Sequence, residues 1–386
     1  LGLLFVFKYY NFATESLNLA FEKFNLGKQI PGHELLLPVG ISFYTFQTLS
    51  YTIDVYYRRQ KAEKHIGYFA LYVAYFPQLV AGPIERFSRL SNQLKAHVRL
   101  NYSNISNGLR LILFGLFVKM VIADNISPIV DDLYSAPELY SSWNVILGIT
   151  LYSFQIYGDF HGYSSIAIGT AMLFGVKLMN NFNTPYLSAS IKEFWERWHI
   201  SLSTWFRDYL YIPLGGNKVG VPRWALNIFV VFAVSGLWHG ANWTFVIWGA
   251  LYGFLYLIEH FFNKKFNIKA SKAELSAKRL LLALKTFVVV TLIWVFFRSQ
   301  DLNQVSAIFD ALLNNWNINH GLDVPIAFLV WFVVFLVLEF LLFNKRFDNW
   351  VGSKHIVLRW VVYTVLIFGV TAFAGVEDYP FIYFQF

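Results

Sequence analysis

The chain has 386 residues, 56% of them hydrophobic and only 14% charged, against about 25% charge in ordinary soluble domains. That balance argues for a multi-pass membrane protein. The net charge of +8 does not point to nucleic acid, because the Lys and Arg residues fall in short loops between apolar runs. No cysteine is present, which excludes disulfides, thiolate metal sites and a covalent cysteine acyl-enzyme.

The sequence opens at Leu1, without a methionine and inside the apolar run LGLLFVFKYYNF, so earlier helices are expected to be missing. In chain order, spans are predicted at 1–12, 35–57, 66–84, 108–123, 143–175, 224–240, 243–262, 280–297, 325–343 and 356–374. The longest apolar runs offer the roughly 20 residues a helix needs to cross a core of about 30 Å. The expectation is an all-α multi-pass protein of about ten transmembrane or re-entrant helices. No solenoid repeat, low-complexity tract or long linker divides residues 1–386, so they are read as one transmembrane domain.

Loop charge sets the sides. Loop 263–279 is strongly basic and 344–355 carries Lys345, Arg346 and Lys354, whereas 298–324 sets Arg298 against Asp301, Asp310 and Asp323. Basic, acidic, basic reads as cytoplasm, exterior, cytoplasm. Loop 124–142 has four acidic residues and no Lys or Arg, placing it outside; region 176–223, with six Lys or Arg against three acids, lies inside. Segment 66–84 joins two basic loops and contains Pro77 and Gly82-Pro83, so it reads as re-entrant. Segment 143–175 is too long for a simple span, and Gly158 and Gly162 predict a break.

Within 191–212 a 3.6-residue period places Phe194, Trp195, Trp198, Leu202, Trp205, Phe206 and Tyr209 on one face. Lys192, Glu193, Glu196, Arg197, Ser203, Arg207 and Asp208 take the other. This predicts an amphipathic helix in the cytoplasmic headgroup layer, with His199 turned inward. Packing accounts for such a histidine as well as function does.

His239, in SGLWHGANW, carries the stronger signal. Intramembrane ionisable groups are rare and usually functional, and no Asp, Glu, Lys or Arg lies between Arg223 and Glu259. A neutral imidazole can accept a proton at one nitrogen while the other donates, as a general base must. Trp238, Trp243 and Trp248 are predicted to wall a dry pocket around it. The competing explanation is a packing histidine between Gly236 and Gly240, which have helix-packing spacing. In YGDFHGYSS, Asp159 and His161 could orient one another, but residues two apart on a helix do not face each other. There His161 reads as packing and Asp159 stays open. A Walker A loop, a GxSxG elbow and an HExxH pair are all absent from the sequence, and no metal site is expected.

Several stretches together resemble the membrane-bound O-acyltransferase family, in its alginate O-acetylation branch. They are 35–58, FPQLVAGPIERF (76–87), FQIYGDFHGYSSIAIGTAMLFG (154–175), FWERWHISLSTWFRDYLYIPLGG (194–216), SGLWHGANWTFVIWG (235–249) and FIYFQF (381–386). The resemblance implies a ring of helices around a thin central region, with funnels from both faces. It implies that His239 is the catalytic histidine and His199 the second motif histidine. Members of this type usually read DFSGYSD where this chain has DFHGYSS, so His161 and Ser165 depart from the pattern. Acetyl-CoA is the donor this implies, with a cell-envelope polysaccharide as acceptor and an extracytoplasmic SGNH-type protein as partner, all at a bacterial cytoplasmic membrane. Arg197, Arg207 and Lys218 are candidates to meet CoA phosphates, and Asn242 for an oxyanion donor. Three other readings stand beside it: D-alanyl transfer to teichoic acid from a carrier protein, a transporter or channel with a proton-relay histidine, and a scaffold subunit whose histidines no longer act.

Overall fold

The computed structural model describes residues 2–33, 35, 38, 40–79, 82–97, 101–268, 274–373 and 381–382. Residues 1, 36, 37, 39, 80, 81, 98, 99, 269–273, 374 and 383–386, which the expected spans, loops and closing motif include, lie outside the described residues. Among the described residues every regular element is helical.

A helical stretch begins at Gly2, passes through a π-helical segment Phe5–Tyr9 and continues as α1 (Tyr10–Lys23). Then follow α2 (Ile41–Tyr56), α3 (Ile66–Val73) and α4 (Phe87–Lys95). Next come α5 (Tyr102–Leu116), a π-helical stretch Phe117–Ala123, α6 (Asp124–Ser135) and α7 (Ser142–Leu173). The chain continues through α8 (Ile191–Arg197), α9 (Ile200–Phe206), α10 (Val221–His239) and α11 (Trp243–Lys265). It closes with α12 (Ala277–Arg298), α13 (Leu302–Asn314), α14 (Ile326–Leu341), α15 (Phe347–Gly352) and α16 (Ile356–Phe373).

Five helices among the described residues are long and apolar enough to cross a membrane: the 34-residue run Tyr102–Ser135, α10, α11, α12 and α16. α14 is also strongly apolar but has only 16 residues. Segment 66–84 is broken as expected, with α3 ending at Val73 and a 3₁₀ turn at Phe76–Gln78. Two loops assigned to the exterior contain helices of their own, α6 and α13. The start of α13 is set by Asp301, whose carboxylate accepts the Gln304 N–H at 2.8 Å.

The predicted break in 143–175 does not occur. α7 runs unbroken for 32 residues, about 48 Å, and buries residues on every side of the helix, which places it at the centre of the bundle. Its glycines serve close packing instead. A Cβ on Gly162 would stand 2.8 Å from the Gly115 carbonyl oxygen of α5, and one on Gly115 would stand 2.6 Å from that of Gly162. The two backbones therefore touch, as small-residue seams allow.

The amphipathic helix predicted over 191–212 is also divided. Trp198 adopts extended dihedrals and His199 the left-handed region (φ 42°), so α8 and α9 are separate short helices. The aromatic face is correctly assigned: Phe194, Trp198, Leu202, Trp205 and Phe206 are buried. The polar face is not. Glu193 and Arg197 are buried too, because Glu193 Oε1 accepts from Arg197 Nε at 2.8 Å and from Arg279 Nη2 at 2.5 Å. Both guanidiniums also lie over the Phe343 ring. This network ties α8 to α12, and it draws Arg279 out of the basic loop where sequence placed it.

Candidate active site

His239 is the last residue of α10, and Gly240 leaves the helix in an extended conformation. α10 and α11 form a tight hairpin. A Cβ on Gly236 would fall 2.2 Å from the Phe245 carbonyl oxygen and 3.2 Å from the Gly249 Cα, so only glycine permits this approach. The helix end leaves carbonyls without intrahelical partners. Lys8 Nζ donates to the Trp238 and His239 carbonyls, each at 2.9 Å, and Tyr9 Oη donates to that of Leu237 at 3.0 Å. A cation at a helix C-terminus is favoured by the backbone dipole. The backbone carbonyl of His239 is thus satisfied by a residue 231 positions away.

The imidazole of His239 is boxed by Trp238, Trp248 and Phe297, with ring centroids at 4.8, 5.1 and 5.2 Å. Two of the three predicted tryptophans thus form the wall. Trp243 does not: it is 49% exposed and donates to Ser16 Oγ at 3.2 Å. Trp238 also faces His199, at 6.3 Å between centroids, so one indole lies against both histidines.

His199 is fully buried, edge-on to Phe160 at 4.6 Å. Its left-handed backbone costs on the order of 1–3 kcal/mol for a non-glycine residue. The loop before α8 compensates: Ile200 N–H donates to the Asn181 carbonyl and Asn183 N–H to that of Arg197, each at 3.0 Å. His199 Nδ1 lies 3.1 Å from Asn181 Oδ1. Its Nε2 is buried with no hydrogen-bond partner among the described residues.

Two cavities lie near this pair, lined by Gly240 and by Asn181 but by neither His239 nor His199. One of about 650 Å³ is lined by Lys8, Asp131, Gly240, Asn242, Arg298 and Gln300, and its walls include the loops that charge places outside. The other, of about 170 Å³, includes His161, Ser164, Ser165, Asn181, Glu339 and Arg346, next to the basic loop placed inside. The two residues that depart from the family pattern, His161 and Ser165, both line this inner cavity. His161 stacks on Tyr157 at 5.0 Å.

The remaining expected site residues are distributed differently. Arg197 is held in the Glu193 network and donates to the Asn183 carbonyl at 3.1 Å, whereas Arg207 is 59% exposed beside Asp208. Asp159 faces away from His161: it pairs with Lys119 at 2.8 Å and accepts the Ile382 N–H at 2.6 Å. Asn242 caps α11, accepting from Thr244 N at 3.0 Å, and donates to the Gln300 carbonyl at 2.7 Å. Sequence reasoning passed over Glu339, a lone carboxyl in the apolar run of α14 that accepts from Tyr157 Oη at 3.0 and 3.1 Å. The intramembrane rule applied to His239 would have found it. It also passed over Asn181, which no local pattern marks.

The sequence profile of the membrane-bound O-acyltransferase family matches residues 55–297, and the chain belongs to that family. Within it, the chain is 41% identical over 317 residues to the probable alginate O-acetylase AlgI of Azotobacter vinelandii, covering 81% of this chain and 61% of that protein. It is 36% identical over 341 residues to the peptidoglycan O-acetyltransferase of Helicobacter pylori, covering 81% and 62%. It is 30% identical over 249 residues to the teichoic acid D-alanyltransferase of Bacillus subtilis, covering 61% and 62%. The chain spans about three fifths of the length of these relatives.

Proposed function

We propose that this chain performs the membrane step of polysaccharide O-acetylation. An acetyl group passes from cytoplasmic acetyl-CoA to a hydroxyl on the outer side of a bacterial cytoplasmic membrane. An extracytoplasmic SGNH-type partner then delivers it to an exported or cell-envelope polysaccharide. The observation that carries the reading is the pair His239 and His199 sharing the Trp238 wall, with an outer cavity at Gly240 and an inner cavity at Asn181. Greater identity, over more of the chain, to acetylases than to the D-alanyl enzyme supports acetyl as the group moved.

In this reading the acceptor oxygen attacks the thioester carbonyl while His239 takes its proton. The new C–O bond forms, the C–S bond breaks, and the proton ends on the departing thiolate. His199 positions the donor or relays that proton. The aromatic box excludes water, which would otherwise hydrolyse the thioester. Arg207 and Arg346 serve as counter-charges for donor phosphates, while Arg197 and Asp159 hold the scaffold.

His239→Gln tests the proposal in cells with the cognate operon and in nanodiscs supplied with labelled acetyl-CoA. Acetylation is expected to fall at least about 10²-fold. Unchanged acetylation at matched membrane levels sinks the assignment. Labelling from a D-alanyl carrier protein instead of acetyl-CoA overturns the donor.

A further inference from the structure

The environment of Asn181 determines which nitrogen of His199 carries its proton. Asn181 Oδ1 receives three groups: Ser201 N at 3.3 Å, Ser201 Oγ at 2.9 Å and His199 Nδ1 at 3.1 Å. A backbone N–H can only donate, so the atom facing it must be the amide oxygen rather than the NH₂. The opposite end agrees, since Asn181 Nδ2 donates to Ser164 Oγ at 3.2 Å. An amide oxygen carries no proton, so the bond to His199 requires a proton on Nδ1. Ser201 Oγ, 3.4 Å from Nδ1, spends its own proton on the nearer Asn181 oxygen.

We infer that Asn181 is a positioning residue that locks His199 in the Nδ1–H tautomer and leaves the buried Nε2 as a proton acceptor. The inference deepens the acyl-transfer reading and rests on it for its catalytic meaning. Substituting the side chain removes the lock and the bond to the Ser201 N–H, but keeps the backbone bond that holds the turn. The Ile200 N–H bond goes to the Asn181 backbone carbonyl, and any residue supplies that. Ser164 also lines the inner cavity, so the amide connects the cavity wall to the histidine.

The test uses the full chain in nanodiscs, labelled with ¹⁵N-histidine, the His199 signals being assigned by their loss in His199→Gln. Wild type is expected to carry the His199 proton on Nδ1. Asn181→Asp keeps it there, and Asn181→Leu moves it to Nε2 or gives a mixture. In acetyl-transfer assays Asn181→Leu lowers kcat about 10- to 100-fold, with the donor KM changed by less than about threefold. Asn181→Asp retains activity, but its carboxylate favours the imidazolium, so the acid limb of the pH–rate profile moves to higher pH. An Nε2–H tautomer in wild type, an unchanged spectrum in Asn181→Leu, or an unmoved acid limb in Asn181→Asp overturns the inference. The spectrum needs no turnover. Absence of acetyl-CoA-dependent transfer in wild type would defeat the functional reading and leave the tautomer to be read.

Discussion

Two short stretches of this chain share one pattern, glycine–x–aromatic–histidine–glycine: GDFHG at 158–162 and GLWHG at 236–240. In both, glycines bring one helix backbone against another. What separates them is the second glycine. At Gly162 the helix continues to Leu173, and His161 stays within the helix, stacked on Tyr157 in the wall of the inner cavity. At Gly240 the helix stops, the chain turns extended, and Lys8 takes the freed carbonyls. His239 thereby sits at a helix end, boxed by aromatics, and the next residue, Gly240, lines the larger cavity. Glycine spacing reports packing in both places; the helix terminus marks the difference in chemistry.

The contrast breaks most directly by substituting the two histidines alike. His239→Gln should cost at least about 10²-fold in acetyl transfer, as loss of a general base does. His161→Gln should cost less than about tenfold in kcat, its effect falling on the donor KM through the inner cavity. Equal losses in kcat would erase the distinction. The first glycines come next. Gly236→Ala forces a Cβ to 2.2 Å from a carbonyl oxygen, whereas Gly158→Ala meets nothing nearer than 3.3 Å. The former should destabilise by about 2–3 kcal/mol and the latter by less than about 1 kcal/mol. Melting temperatures in detergent rank them, and a reversed order would mean the α10–α11 seam yields more readily than its geometry implies.

The same contrast separates what was legible in the sequence from what was not. The spans at 224–240, 243–262, 280–297 and 356–374 lie close to α10, α11, α12 and α16, because a long apolar run has few other ways to satisfy its backbone. His239 was legible for the same reason: a polar ring in such a run stands out. The break at His199 was not, since neither glycine nor proline announces it and the left-handed turn is held by the distant 181–183 segment. Lys8, Arg279 and Asn181 were invisible in their roles, each acting on a partner remote in sequence. Periodicity reads one helix at a time; partners between elements belong to the fold.

Lys8→Met sharpens the helix-end argument. The ammonium serves the carbonyls of Trp238 and His239 and, at 3.3 Å, Ser42 Oγ. Its loss should cost about 1–3 kcal/mol in stability and reduce transfer about tenfold, roughly 1.4 kcal/mol in the barrier. Normal transfer in this variant would show that the His239 ring is held by its aromatic box alone.

The smallest expected effect concerns the other histidine's support, the Glu193 network under α8. Burial opposes ionisation of Glu193, but the bonds from Arg279 and the Ala189 N–H, with the charge of Arg197, overcome it and hold the carboxyl below its ordinary value. A carboxyl depressed on folding contributes stability that is complete above its unfolded value, near 4.5, and is lost as pH falls through the lower folded value. Between pH 7 and 5 this contribution should stay flat; below about 4.5 it should decline. Glu193→Gln, lacking the titration, should melt lower than wild type at pH 7 and lose less on acidification. Parallel melting curves for the two proteins below pH 4.5 would remove Glu193 as the group that ties α8, and with it the approach to His199, to α12.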